Sequence, residues 1–362
     1  MEGSTVSLLF TPWRVRTLTV PNRAWVSAMC QYSAVDGVIG DWHLAHLGSL
    51  ATGGFGLVMA EATAVAPEAR ISVRCPGLWN DEQVTAWRRV TAFAHAQETL
   101  VGVQLAHAGR KASTMAPWDD HLIAQPSEGG WTAVAPSALT FDGYPTPRPL
   151  RVDEIDQVVD QFAAAARRAL SAGFDVLEIH AAHGYLLHQF LSPLSNQRDD
   201  EYGGSFENRT RLLRRVTAAV RAVDADVALF VRISATDWIE GGWDLDQSVA
   251  LARELRDLGV DLVDVSSGGN VATAVIPAAP GYQVPFAGAV RRGADVATSA
   301  VGLITEPEQA EAILERGDAD AVMVARAALR NPRWALQAAE SLGEHIDWRP
   351  QLERARTVRA AR

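Results

Sequence analysis

Three side chains able to hold and protonate a carbonyl compound lie close together in the chain: His180, His183 and Tyr185. They follow an apolar run over residues 174–179 (FDVLEI) whose length and neighbours read as a buried parallel strand. Two imidazoles leaving one strand end can donate to a single carbonyl oxygen, while a phenol supplies a proton nearby. Barrel enzymes collect their catalytic groups at such strand ends. The chain then continues as LLHQFLSPLSNQRDDEYGGSFENR, which reads as polar and glycine-rich turns.

Side chains at one strand end need a scaffold that repeats strands and helices. Apolar runs at 24–29, 56–62, 100–105, 174–179, 227–233, 260–265, 295–301 and 321–324 have strand character. Amphipathic stretches at 42–51, 82–97, 152–172, 206–223, 246–258, 286–292, 307–316 and 332–342 alternate with them. Asp153 and Pro307 supply helix start signals. This alternation predicts the α/β class and a closed (β/α)8 TIM barrel. Residues 8–23 read as an N-terminal hairpin that plugs one end, and residues 348–362 as a basic C-terminal arm. No linker or low-complexity tract interrupts the pattern, so one domain over residues 1–362 is expected. The long loops at 106–150 and 192–205 follow strands and therefore belong to the active face.

Composition narrows the class. A chain of 362 residues that is 48% hydrophobic can bury a large core. A formal charge of −10 argues against nucleic acid or an anionic membrane as partner. No apolar run is long enough to span a bilayer, and no basic-then-apolar leader opens the chain, so the cytoplasm is the expected location. Cys30 and Cys75 are the only cysteines, too few for a disulfide framework or a cluster motif, and no metal is expected. Lys111 is the sole lysine and lies in a loop rather than on a strand end, which disfavours a Schiff-base aldolase.

Other residues fall at the same end of the predicted strands: Cys30 and Tyr32, Ala60–Glu61, Gln104 and His107, Arg232, Ser266–Ser267, Gly302 and Arg326. Gly302, with Ala325 and Arg326 in the last two units, reads as a phosphate cradle built from backbone N–H groups and one guanidinium. Gln104 and Arg232 fall inside the ring of strands, where an unpaired polar group is costly.

SAMCQYS (27–33), QLAHAGRK (104–111), EIHAAHGYLLHQFLSPLSNQRDDEYGGSFENR (178–209), the SSG turn (266–268) and VAR (324–326) resemble the old yellow enzyme family. Cys30 at the end of the first strand makes the chain similar to the thermophilic-like branch of its ene-reductases. The resemblance implies an FMN-bearing barrel that takes hydride from NADPH, or NADH, and reduces activated C=C bonds of enone-type substrates by a ping-pong cycle. It places Ser27, Ala28, Met29 and Cys30 along the flavin, Ala60, Gln104 and Arg232 at its ring, and Gly302, Ala325 and Arg326 on its phosphate. His180 and His183 would bind the substrate carbonyl, Tyr185 would deliver the proton, Tyr32 would add a hydrogen bond to substrate, and Cys30 would tune the flavin. Ala28 and Ala325 depart from the branch's Pro and Gly. Arg354 matches an arginine that reaches a neighbouring subunit's site, which implies a homodimer or homotetramer.

Two other classes stand beside this one. A metal-dependent barrel hydrolase would use His180, His183 and Glu178, although no further carboxylate or histidine at the strand ends completes a ligand pattern. A non-catalytic flavin- or ligand-binding barrel would keep the cradle without needing Tyr185 beside two histidines. The iron–sulfur branch of the family is excluded by the cysteine count.

Overall fold

The computed structural model describes residues 6–356. Eight parallel strands close into a barrel in chain order: β1 (Ala24–Val26), β2 (Leu57–Ala64), β3 (Leu100–Ala106), β4 (Val176–Ala181), β5 (Ala228–Ser234), β6 (Leu262–Ser266), β7 (Ala297–Ala300) and β8 (Ala321–Val324). β8 pairs back onto β1 through Val322–Ala24 and Val324–Val26, so no edge remains. Outer helices follow each strand: α1 (Asp41–Ala51), α2 (Asp81–Ala96), α3 (Val152–Ala172), α4 (Phe206–Arg221), α5 (Leu245–Asp257), α6 (Val284–Ala294), α7 (Pro307–Glu315) and α8 (Trp334–Leu342). Every residue of β2, β4, β5, β6 and β8 is buried, because helices cover one face and the barrel interior the other. That is why these segments read as unbroken apolar runs rather than alternating ones.

The helices are held by their apolar stripes and by local caps. α3 turns Ile155, Val158, Phe162, Ala166 and Ala169 onto the strands, and Phe162 is fully buried. Truncating a core phenylalanine to alanine costs about 3–5 kcal/mol, so this stripe alone holds a sizeable share of the fold. α2 begins with a capping box in which Asn80 Oδ1 accepts from Gln83 N–H at 3.0 Å and Gln83 Oε1 accepts from Asn80 N–H at 3.2 Å. Ser205 and Asp244 cap α4 and α5 in the simpler way, accepting from the backbone N–H three residues on.

The hairpin plug takes the form expected of it. Trp13–Val15 pairs antiparallel with Leu18–Val20, and Val15 and Val20 join Trp25, Leu57, Met59, Val176 and Phe230 in one apolar cluster. Those barrel residues come from the beginnings of strands, so the hairpin seals the amino-terminal end. Trp25 stacks on Phe230 at 5.8 Å between centroids, with Trp13 edge-on to Phe230 at 6.3 Å.

Several boundaries differ from the sequence expectation. β1 stops at Val26, so Ser27 to Cys30 lie in the strand-to-helix loop rather than on a strand extending to residue 29. β2 runs on to Ala64, past the polar Glu61, because its register to β3 jumps from Ala60–Val103 to Ala62–Gln104 and leaves Glu61 as a bulge. Ala60 is therefore mid-strand, and Gln104 and Arg232 lie within strands rather than at their ends. Residues expected as turns after Tyr185 form a short helix, Leu186–Leu191. Asp153 is not the cap of α3; Glu154 Oε2 accepts from Arg151 N–H at 2.8 Å and closes that end instead. A short helix not expected from the sequence, Arg326–Arg330, precedes α8, and the two are separated because Pro332 forces Asn331 into an extended conformation.

The carboxy-terminal arm docks at the plugged end. Arg349 pairs with Glu98 at 2.7 Å and also donates to the Gln97 carbonyl, both just ahead of β3. Arg354, in the single turn Glu353–Ala355, is exposed. Among the described residues, no helix is long and apolar enough to cross a membrane.

Candidate active site

His180 is the penultimate residue of β4, paired in register with Arg232 of β5, and is buried. The backbone then turns sharply, with His183 at φ 60° and Gly184 at φ 71°. Both values lie in the left-handed region, which glycine adopts freely and histidine rarely. A Cβ on Gly184 would come within 2.3 Å of the Gly269 carbonyl, so the approach of this loop to the one after β6 requires glycine. Three ties hold the turn. His183 N–H donates to Ser234 Oγ at 2.9 Å, and Lys111 Nζ donates to the His183 and Gly269 carbonyls, each at 2.9 Å. This brings the rings together: His180 lies 5.2 Å from His183 and 5.1 Å from Tyr185 between centroids.

The environment sets the protonation of the trio. Burial pushes both imidazoles well below their ordinary value, and the nearby Arg232 guanidinium adds to the effect. At neutral pH each ring is therefore uncharged, with one N–H to donate. His183 Nε2 lies 2.7 Å from Ser266 Oγ. When that hydroxyl donates to this nitrogen rather than to Gln283 Oε1, 3.3 Å away, the ring proton sits on Nδ1 and is available to a ligand. His180 Nδ1 is buried with no protein partner. Burial raises the Tyr185 phenol well above its ordinary value, so it stays a proton donor. Lys111 is lowered to about 8, first by burial and then by Arg110.

Beneath the trio, the barrel mouth holds a polar layer. Arg232 donates to Ser27 Oγ at 2.9 Å and lies 3.1 Å from Asp264, which accepts from Ser299 at 2.8 Å. Gln104, expected inside the ring of strands, is not left unpaired there but donates to Glu178 Oε1 at 2.7 Å. Burial and the neighbouring Asp264 raise the Glu178 carboxyl, since one arginine cannot hold two buried carboxylates ionised. Glu178 thus faces Gln104 and does not join His180 and His183 in a metal-ligand set. The His, Cys, Asp and Glu side chains that do converge, among the described residues, are Cys30, Glu61 and Cys75.

A cavity of about 240 Å³ runs outward from Arg232 past Gln283 and Gly302 to Ala325, Arg326 and Arg330. Among the described residues, neither Arg326 nor Arg330 has an ion-pair partner, so two guanidinium groups stand ready for an anion. Gly302 has φ 124°, and a Cβ there would press on Gln283 at 2.8 Å. Unpaired arginines around a glycine that cannot be filled fit a phosphate end, and the Ser27, Gln104 and Arg232 layer fits a polar ring above the barrel. The residues present therefore fit FMN.

Cys30, Tyr32 and Tyr185 pack against one apolar cluster around Ala62, Ala106 and Ala108, which places Tyr32 and the trio on the same face. A second cavity of about 500 Å³ opens beside Tyr32, lined by Arg70, Arg74 and Trp118. Ala28 and Met29 are half-buried on the same loop as Cys30. Arg354 alone of the expected site residues stands apart, on the arm at the opposite end of the barrel. Sequence reasoning passed over Glu178, Asp264, Ser266 and Gln283 as ring partners, and Lys111 as a loop tie; only the lone-lysine count pointed at the last. It also passed over the meeting of Cys75 with Cys30.

A parallel (β/α)8 barrel with a phosphate-ready rim, an arginine-centred polar layer and a His–His–Tyr face defines a flavin-dependent oxidoreductase. The model of the NADH:flavin oxidoreductase / NADH oxidase family matches residues 8–345, and the chain belongs to that family, the old yellow enzyme family. An NADPH dehydrogenase of Listeria monocytogenes is 48% identical over 97% of this chain and 99% of its own. An NADH:flavin oxidoreductase of Gibberella zeae is 45% identical over 97% of this chain and 89% of its own. Among solved structures, morphinone reductase superposes with a TM-score of 0.78 at 30% identity, covering 96% of this chain and 93% of its own. The old yellow enzyme homologue of Zymomonas mobilis gives 0.76 at 31% identity, covering 94% of each. The protein is an enzyme that uses FMN with NAD(P)H as hydride donor.

Proposed function

We propose that this enzyme is an ene-reductase, reducing the activated C=C bond of α,β-unsaturated carbonyl compounds, and that one domain over residues 1–362 carries the whole reaction in the cytoplasm. The observation that carries the reading is the contact of two neutral imidazoles with a protonated phenol, His180 standing 5.2 Å from His183 and 5.1 Å from Tyr185. FMN, when bound, supplies the hydride chemistry between NAD(P)H and the acceptor. His180 and His183 hold the acceptor's carbonyl oxygen, and their N–H groups meet the negative charge that develops there. Tyr185 gives its phenolic proton to the α-carbon and recovers one from solvent. Tyr32 adds a hydrogen bond to the substrate from the cavity side. Ser27, Ala28, Met29, Cys30, Ala60, Gln104 and Arg232 line the flavin ring, with Cys30 tuning its potential, and Gly302, Ala325 and Arg326 take the phosphate. Absorbance of the purified protein tests the reading: the flavin bands should bleach with NADPH and return on adding 2-cyclohexenone under anaerobic conditions. Bleaching without recovery across a panel of enones and enals would overturn it.

We also propose that Arg354 acts on a neighbouring subunit within a homodimer or homotetramer. The support is its position: Arg349 anchors the arm beside Glu98 at the plugged end of its own barrel, while Arg354 stays exposed. A guanidinium is always charged and suits an acceptor oxygen or a pyrophosphate across an interface. Mixing His180→Ala/Tyr185→Phe chains with Arg354→Ala chains should restore activity beyond the sum of the two alone. Full activity of Arg354→Ala by itself, or no recovery in mixed dimers, would exclude the role.

A further inference from the structure

The bulge in β2 leaves Glu61 unpaired in the ladder and turns its side chain toward Cys30 of the β1 loop and toward Cys75. There Cys30 Sγ, Cys75 Sγ and a Glu61 oxygen all lie within 4.8 Å of one another. Glu61 and Cys75 are buried, at 3% and 1% exposure, while Cys30 is half-buried. We propose that Cys30, Cys75 and Glu61 form a binding site for a thiophilic divalent cation, zinc being the ion of choice, and that the occupied site shuts down turnover.

Ligand types and spacing support this. Zinc binds thiolates at about 2.3 Å and carboxylate oxygens at about 2.0–2.2 Å, so tetrahedral ligand atoms stand roughly 3.5–3.8 Å apart. Binding would draw the three ligand atoms from their present separations, all within 4.8 Å, to that spacing. A fourth position remains for water.

The surroundings are also those of a metal site, in which outer partners orient the ligands. Cys75 Sγ accepts from Ser72 N–H at 3.4 Å, and Cys30 Sγ from the backbone at Ala62. Glu61 Oε2 accepts from Gln31 N–H at 2.9 Å, while Oε1 lies 3.2 Å from His43 Nε2. Each ligand is thus already oriented by a second group. The cavity beside Tyr32 is lined by Val73 and Arg74, the two residues that precede Cys75. On binding, each thiol forms a sulfur–zinc bond and releases its proton to solvent, so two protons leave per ion.

Binding does not depend on the ene-reduction reading, but the shutdown does, because it draws Cys30 away from its place along the flavin and beside Tyr185. The experiment separates the two. Purified FMN-loaded enzyme, kept reduced, is titrated with zinc in competition with a chromophoric chelator, and the bound ion is examined by X-ray absorption. One zinc per chain with two sulfur neighbours at about 2.3 Å is the expected result. Cys75→Ser should lose one sulfur neighbour and weaken binding at least tenfold, with its enone reduction unchanged and no longer inhibited by zinc. Cys75→Ala, with retained FMN confirming the fold, repeats the test without a hydroxyl. A bound zinc without sulfur neighbours, or equal affinity in wild type and both variants, overturns the site. Sulfur-ligated zinc that leaves wild-type turnover intact overturns only the shutdown.

Discussion

His180→Ala and His183→Ala should each lower enone reduction by ~10²–10³-fold, the usual cost of removing one preorganised donor to developing oxyanion charge. FMN content and the rate of bleaching by NADPH should hold, since neither imidazole belongs to the phosphate cavity. The two rings act on one oxygen, so the double variant should lose less than the product of the single losses. Because burial and Arg232 hold both imidazoles well below their ordinary value, the donors stay neutral and acceptor binding should show no histidine step between pH 6 and 8. The same depression makes the fold acid-sensitive. As pH falls below the unfolded histidine value of about 6.5, the unfolded chain takes up protons that the folded sites refuse, and stability is lost. Steady-state rates with 2-cyclohexenone, measured beside flavin content, decide the matter; near-normal rates in both single variants would place the carbonyl elsewhere.

Tyr185→Phe should slow the acceptor half of the cycle by ~10²–10⁴-fold, the range for a positioned general acid, while leaving the NADPH half unchanged. Its ring contact with His180 at 5.1 Å would survive in phenylalanine, so the loss reports the hydroxyl and not the packing. Burial holds the phenol protonated well past its ordinary value, so the wild-type acceptor rate should not fall through phenol ionisation below pH 10. Stopped-flow bleaching and recovery measured separately check this. A variant slowed equally in both halves would mean that Tyr185 positions the flavin rather than donating a proton.

The trio was legible because its members are neighbours in the chain: one strand end delivers His180, His183 and Tyr185 to the same face. The barrel was legible for a similar reason, as eight apolar runs separated by amphipathic ones leave little choice of architecture. Gly302 and Arg326 could be read because each lies just beyond a strand of that repeat. That Arg326 lacks an ion-pair partner among the described residues could not, since it depends on what the rest of the rim brings near. Strand limits failed where polarity and pairing part company. Residues 56–62 read as the strand, yet β2 continues to Ala64 by ejecting Glu61 from the ladder.

The sequence by itself determined the fold class, the plug, the order of the elements and the meeting of His180, His183 and Tyr185, because each follows from periodicity or from adjacency along the backbone. Barrel closure decided the rest. It set Lys111 against Gly269, 158 residues away, and so holds the His183 turn. It gathered Glu178, Arg232 and Asp264 from three strands into one layer, where desolvation raises both carboxyls above their ordinary values. It also brought Cys75 to Cys30 and Glu61, which no spacing along the chain announces. Contacts between distant segments depend on the register and curvature of the whole sheet, and those exist only once all eight strands have closed.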